Sequence, residues 1–364
     1  MLRYACFLLL VLGSFTASLS QNASAPPLYF TMGDEYERAA HRRTLLSWPG
    51  VDSTTQHELE LWTDTAGKPL LYYANINTPV CIDGSCKPLY IEIYWDLLGN
   101  YIGYGVIAAE LLTKYDHELF ESADYQKLHR LLLNKHSILA RKKLSDLFDA
   151  SPQTSEKVTF NGVELDAVSG ATKREIGQSV VKGALYSCYT LWHLVYGAVS
   201  DSMEQSLAAM YDSRLSRDFL HSDYPDYQYH ALKQMDNLML EQELNRVLEI
   251  FPTASPLVRT YLIKKFPNEW FQRAELAFPL YRSFATIDRQ SQTLLLQHLA
   301  FAPLEVTEIL AISISSMTRN QLKLYLKQVS ANPLNETVEE EMQKVIASKS
   351  YANSYLLEDF LAEN

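Results

Sequence analysis

Residues 165–177 read LDAVSGATKREIG, in which Ser169, Gly170 and Ala171 lead through a small, flexible turn to Thr172 at the start of a long amphipathic run. Thr172 stands three residues before Glu175, the spacing of a capping box, in which hydroxyl and carboxylate each satisfy an orphan amide of the first helical turn. The same hydroxyl, flanked by residues too small to shield it, is alternatively a nucleophile or an anchor. A second polar cluster, Thr113, Lys114, Asp116 and His117, follows a β-rich stretch. Read by itself it opens a helix, with Thr113 as cap and acidic residues in the first turn. No second His or Cys stands at ligand spacing from His117 on the same element, so the sequence predicts no metal site.

The elements that must position these groups differ between two regions. From about residue 57 to 110 the runs HELELWT, LLYYANI and PLYIEIYWDLLGNYIGYGVIAAEL are rich in β-branched and aromatic residues, and the GNY after YWDLL predicts a hairpin turn. From about residue 124 the pattern is helical. It returns to strand-turn-strand in KVTFNGVELDAVSGA, with Asn161-Gly162 at the turn, and ends in one helical run through GQSVVKGALYSCYTLWHLVYG. Beyond about residue 200 short amphipathic segments are punctuated by Pro252, Pro256, Pro267, Pro279, Pro303 and Pro333. Helical hairpins stacked into a small solenoid or bundle of HEAT-like type are the expectation there, although no fixed-period signature is found.

A chain of 364 residues with 47% hydrophobic content is long enough for two packed cores. The net charge of -11 argues against a nucleic-acid partner, because phosphate neutralisation needs an excess of basic side chains. The first 25 residues, with Arg3, an apolar run and small residues before Ser20 and Ala25, read as a cleaved secretion signal, implying a secreted or periplasmic protein rather than an anchored one. In that compartment Cys81 and Cys86, which enclose an Asp83-Gly84 turn, are expected to close a hairpin by a disulfide, the alternative being a redox-active pair. Cys188, within an apolar helix, reads as a buried small hydrophobe.

Asp166-x-x-Ser169-Gly170-Ala171-Thr172 resembles the pattern by which extracytoplasmic flavin transferases recognise a threonine for covalent FMN attachment, and every fixed position matches. A chance match in a chain of this length should arise on the order of once in several hundred proteins. Together with YWDLLGNYIGYGV and LLTKYDHELFESADYQKLHRLL, the segment is similar to FMN-binding domain proteins over roughly residues 80 to 200. That broad family includes flavin subunits of sodium-pumping quinone reductases and Rnf-type complexes.

The resemblance implies FMN joined by a phosphoester to Thr172, a flavin transferase to attach it, and an unidentified redox protein as partner, with a membrane-associated complex as one setting. Ser169, Gly170 and Ala171 would let backbone amides approach the phosphate at a helix amino terminus, and Lys173 and Arg174 would offset its charge. Asp166 matches the first fixed position of the pattern, with turn capping as its alternative. Trp95, Tyr101 and Tyr104 become ring-flanking positions, and Thr113, Lys114, Asp116 and His117 become partners for the flavin's polar edge.

The expected architecture is therefore a signal peptide (1–25), an α+β flavin-binding domain with a small, mostly antiparallel sheet (26–200), and an all-α domain (201–364). No Gly-x-Ser-x-Gly elbow, P-loop, His-Glu-x-x-His or dinucleotide fingerprint occurs, which leaves hydrolase, nucleotide-triphosphatase and direct NAD(P)H readings without a foothold. Two functions remain: extracytoplasmic electron transfer, or a protein-interaction module whose flavin-like domain is only a fold.

Overall fold

The computed structural model describes residues 29–32, 35–49, 56–80, 87–107, 109–114, 117–143, 175, 177–197 and 199–363. The signal segment, the Cys81 and Cys86 pair, Asp116, the Asn161-Gly162 turn and the whole motif from Asp166 to Lys173 lie outside them. The chain divides into two compact units, 1–209 and 210–364.

The first unit is built on a six-stranded antiparallel sheet in the order β1-β6-β5-β4-β3-β2. The strands are β1 (Tyr29–Phe30), β2 (His41–Pro49), β3 (Gln56–Thr63), β4 (Pro69–Thr78), β5 (Leu89–Trp95) and β6 (Tyr101–Gly105), with a short helix α1 (Glu35–Arg38) after β1. Two of the hairpins turn by one device. Asp64 Oδ1 accepts from the amides of Ala66 and Lys68, and Asp96 Oδ1 accepts from those of Leu98 and Asn100. Gly67 and Gly99 complete the turns at φ of 78° and 79°, a left-handed conformation that favours glycine. The expected hairpin after YWDLL is thus present as β5 and β6.

Register places Tyr72, Ala74 and Ile76 beside Trp95, Ile93 and Ile91 on one face of the sheet, all of them buried. The helices α2 (Ser122–Leu133), α3 (Leu185–Tyr196) and α4 (Val199–Met210) belong to the same unit. Polar tips of buried aromatic rings tie sheet to helices: Trp95 Nε1 donates to the Val195 carbonyl at 3.0 Å, Tyr104 Oη to that of Tyr125 at 2.9 Å, and Tyr72 Oη to that of Met203 at 3.2 Å. Because α4 carries Met203, the first unit extends past residue 200 to Ala209. The single helical run expected up to Gly197 is interrupted: residues 177–179 are helical, Gly183 takes φ of 79°, and α3 starts afresh at Leu185.

The second unit is entirely helical among its described residues, with α5 (Ser213–Leu220), α6 (Pro225–Gln234), α7 (Asn237–Gln242), α8 (Leu244–Ile250), α9 (Pro256–Lys265), α10 (Ala274–Arg282), α11 (Arg289–His298), α12 (Glu305–Ala311), α13 (Arg319–Val329), α14 (Glu336–Ser348) and α15 (Ser354–Glu363). The helices stack in two rows: α6, α9, α11 and α13 pack in succession, as do α8, α10, α12 and α14. A period appears in three dimensions. Ser222, Thr253, Thr286, Ser316 and Ser348, spaced roughly 31 residues apart, each donate a hydroxyl to the carbonyl three residues earlier.

Buried polar side chains repeat with them. Gln228, Arg259 and Gln292, each the fourth residue of its helix, donate to the carbonyls of Ser222, Pro252 and Phe284. Successive layers are joined by Arg259 to Asp288 at 3.1 Å and by Gln321 to Gln292 at 3.3 Å. Asp288 also caps α11 through the amides of Gln290 and Ser291. No described helix is long and apolar enough to cross a membrane.

Two outcomes test this division. Ile93→Ala, at a central position with 0% exposure, should destabilise the first unit by about 2–5 kcal/mol in urea unfolding, because the vacated volume does not refill. A chain truncated after Ala209 should unfold cooperatively, whereas one truncated after Ser200 loses Met203 and should melt several degrees lower, by roughly the shift a lost buried side chain produces in a domain of this size.

Candidate functional site

The loop holding Thr113, Lys114 and His117 does not begin a helix. Leu112 to Phe120 folds back on itself: Thr113 and Leu119 form an antiparallel bridge, the Lys114 amide donates to Glu118 at 2.7 Å, and the Phe120 amide donates to Leu112 at 3.0 Å. His117 takes φ of 62°, a left-handed backbone that the first turn of an α-helix does not adopt, and is exposed. The helix starts later, at Ser122, with Asp124 Oδ2 accepting from the Glu121 amide at 3.0 Å. The capping role expected of Thr113 belongs to Glu121 and Asp124.

Lys114 is held in place by carboxylates. Its Nζ lies 2.9 Å from Asp124 and 3.6 Å from Glu118, with its side chain 13% exposed. The hydrogen bond to Asp124 raises the lysine above its ordinary range. Burial pushes the Asp124 carboxyl up, but the Glu121 amide and the Lys114 ammonium outweigh it and hold Asp124 below its ordinary 3.8.

Lys114 reaches that position because of a glycine in another element. A Cβ at Gly183 would sit 3.4 Å from Lys114 Cβ, and the left-handed backbone there disfavours any side chain in its own right. Thr113 and Lys114 meet Gly183, Ala184, Tyr186 and Ser187 at the amino end of α3, and with Val80 and Lys87 they line a shallow cleft of about 20 Å³. Gly183, Ser187 and Lys87 were not singled out from the sequence. The Lys182-Gly183 pair, a helix-stop signal inside an apparently continuous apolar run, was the clue to the first two.

The remaining expected positions do not converge on this cleft. Trp95 is 1% exposed and its indole donates to α3, so neither ring face is free to flank a bound ring. Tyr101 and Tyr104 are likewise in the seam between sheet and helices, with Tyr101 Oη 3.0 Å from His129 Nδ1 on α2. Burial lowers His129 below its ordinary value, which favours the neutral imidazole. Asp166, Ser169, Gly170, Ala171, Thr172 and Lys173 lie outside the described residues.

A larger groove of about 480 Å³ opens on the sheet, lined by residues that include Glu58, Glu60, Tyr73, Asn75, Asn77 and Tyr90. Near it Glu92, 4% exposed, accepts from Tyr73 Oη at 2.9 Å and Tyr94 Oη at 3.2 Å. Burial and then the Glu92 carboxylate push both phenols far above their ordinary range. The carboxylates of this groove repel anions, so it is a poor match for a phosphate or a reduced flavin ring. No group of three or more metal-ligating side chains is present among the described residues. No protein-family model, curated protein or solved structure matches the chain.

The Lys114 to Asp124 pair makes a pH prediction with a defined sign. A depressed carboxyl contributes stability that is present above its unfolded value and is lost as pH falls through the folded one, so the contribution should persist at neutral pH and fade below 3.8. Thermal melts of the native chain and Asp124→Asn should therefore differ at pH 7 and converge in acid. A difference that stays constant down to pH 2 would assign the effect to helix capping alone.

Proposed function

We infer that this chain is an exported flavoprotein that carries FMN on Thr172 and passes electrons outside the cytoplasm. The observation that carries this reading is the match of Asp166, Ser169, Gly170, Ala171 and Thr172 to the flavin-transferase recognition pattern. Attachment would form a bond between Thr172 Oγ and the flavin-side phosphorus of FAD, break the pyrophosphate, and release AMP, with the hydroxyl proton passing to solvent. A tether suits a compartment where a dissociated flavin is diluted and lost. FMN, when bound, supplies one- or two-electron chemistry, and the chain supplies the anchor and the surroundings.

The described residues support the phosphate end of this reading better than the ring end. Thr113 and Lys114 stand beside the helix start that follows the motif in sequence. That cleft is below the roughly 300–1,000 Å³ typical of small-molecule pockets, so the ring is not accommodated there. The partners under this reading are a flavin transferase, an unidentified redox protein and, as the setting, a membrane-associated complex.

The stacked hairpins of the second unit favour a second reading, that of an interaction module, since such stacks present extended protein-binding surfaces. One measurement separates the two. Coexpression with a flavin transferase should add to the intact mass one FMN less one water, and Thr172→Ala should abolish both that increment and in-gel flavin fluorescence. An unchanged mass in the native chain would leave the interaction reading; an increment that survives in Thr172→Ala would place the anchor elsewhere.

A further inference from the structure

The two helix rows of the second unit carry opposite charge. In the row α6, α9, α11 and α13 the one carboxylate is Asp226, in the first turn of α6. In the other row α12 carries Glu305 and Glu308, and α14 carries Glu336, Glu339, Glu340 and Glu341. The basic row belongs to a chain whose net charge is -11, so its charge is set apart by the stacking rather than by composition.

We propose that the exposed face of the α6-α9-α11-α13 row binds an extended, acidic polypeptide segment of another protein, a proposal that rests on the interaction reading and not on flavin attachment. Lys233, Lys264 and Lys327 are each the ninth residue of their helix, so the stack brings them to one level of the row. Gln297 fills that position in α11, and Arg289 and Arg319 add cations at the first residues of α11 and α13. Arg319, Lys323 and Lys327 follow one another at four-residue spacing along one stripe of α13. All these cations are exposed, and none makes an ion pair.

Helix stability does not account for the pattern. Like charges four residues apart oppose helix formation, and a cation at the first residue meets the positive end of the helix dipole. Lysines in a last turn do suit the dipole, but that argument applies equally to the other row, where α8, α12 and α14 end without a basic residue. Neighbouring carboxylates are engaged elsewhere: Asp288 by Arg259 and the α11 amides, and Asp236 by the Met239 amide.

Spacing selects the partner. Packed helices lie about 8–10 Å apart, and a polyproline II segment, at three residues per turn and about 3.1 Å per residue, returns the same face every 9 Å or so. A carboxylate at every third position therefore meets one helix after another. Nucleic-acid strands carry charge at about 3.4 Å intervals, too dense for one cation per helix. Membrane-surface helices insert an apolar face beside their basic one, whereas Leu257 is the one large hydrophobic side chain exposed among the described residues of these four helices.

The test uses the full chain made without a flavin transferase and a fluorescein-labelled peptide of four Glu-Pro-Pro repeats, followed by fluorescence anisotropy. Binding should be saturable and should weaken as salt rises. Lys323→Gln and Lys327→Gln should each weaken it about two- to fivefold, the effect of one exposed ion pair, and Arg319→Gln/Lys323→Gln/Lys327→Gln by about tenfold or more. Lys344→Gln, on α14 of the acidic row, should leave binding unchanged. The triple variant relieves like-charge repulsion, so its melting temperature should equal or exceed that of the native chain; a lower one would assign the cations a structural role and count against the proposal.

Intact mass measured after coexpression with a flavin transferase decides the interaction reading separately, so absent peptide binding is not confused with the failure of that reading. The proposal is overturned if the peptide does not bind saturably, if the triple variant binds it as the native chain does, or if a peptide with its four glutamates in one block binds equally well. Tighter binding to anionic phospholipid vesicles or to a twelve-nucleotide single-stranded DNA, or self-association in sedimentation that Lys327→Gln abolishes, would give the face to a different occupant and overturn it too.

Discussion

The packing of this chain depends on aromatic side chains that bury a ring in one element and deliver a polar tip to a backbone carbonyl of another. Trp95 reaches Val195, Tyr104 reaches Tyr125, Trp192 reaches Asn134 and Tyr196 reaches Leu132 in the first unit. Tyr281, Tyr325 and Tyr351 do the same in the second, to Leu295, Thr307 and Met317. Helix ends leave carbonyls without intrahelical partners, and a buried phenol or indole must find an acceptor. At Val195, Leu132, Leu295 and the C-cap Asn134 one bond meets both demands at once. It also sets how far one element may slide over the next, which apolar contact alone does not.

This arrangement bears directly on the aromatic residues that looked available for a ligand. A tyrosine- and tryptophan-rich hairpin is equally what a flat-ring binding slot and a sheet-to-helix seam require. The donors at Trp95, Tyr101 and Tyr104 are engaged by α3 and α2, which assigns them to the seam. Lys114 lies apart from that seam, beside the start of α3, where Ala184 provides no side-chain cap.

The two units solve the problem of buried polar groups differently. In the first, Glu92 is placed under two tyrosine hydroxyls, a local solution confined to adjacent strands. In the second, a recurring position is filled by Gln228, Arg259 and Gln292, and the Arg259 guanidinium is paired with the cap of the next helix. The carboxyl of Asp288 is raised by burial, yet the Ser291 and Arg259 hydrogen bonds more than compensate and keep it below its ordinary value. Layer thus specifies layer, as expected for a stack in which each hairpin contacts its neighbours.

Local periodicity and turn chemistry made the antiparallel sheet, the hairpin at Asp96 to Asn100 and the all-helical second unit legible in the sequence, because each is decided by residues close together in the chain. The Ser169 to Thr172 motif is legible for the same reason, as a contiguous chemical pattern. The period of the second unit was hidden: its hydroxyl recurs as either Ser or Thr, at spacings that vary by a few residues, and it becomes visible only when the helices stack. Contacts made across the chain decided the rest. Thr113 reads as a helix cap until it is seen bridging Leu119, and Gly183 is lost in an apolar run until Lys114 is seen against it. Ser187 has no local signature at all. Its place beside Thr113, Lys114 and Lys87 is a juxtaposition that only the tertiary fold creates.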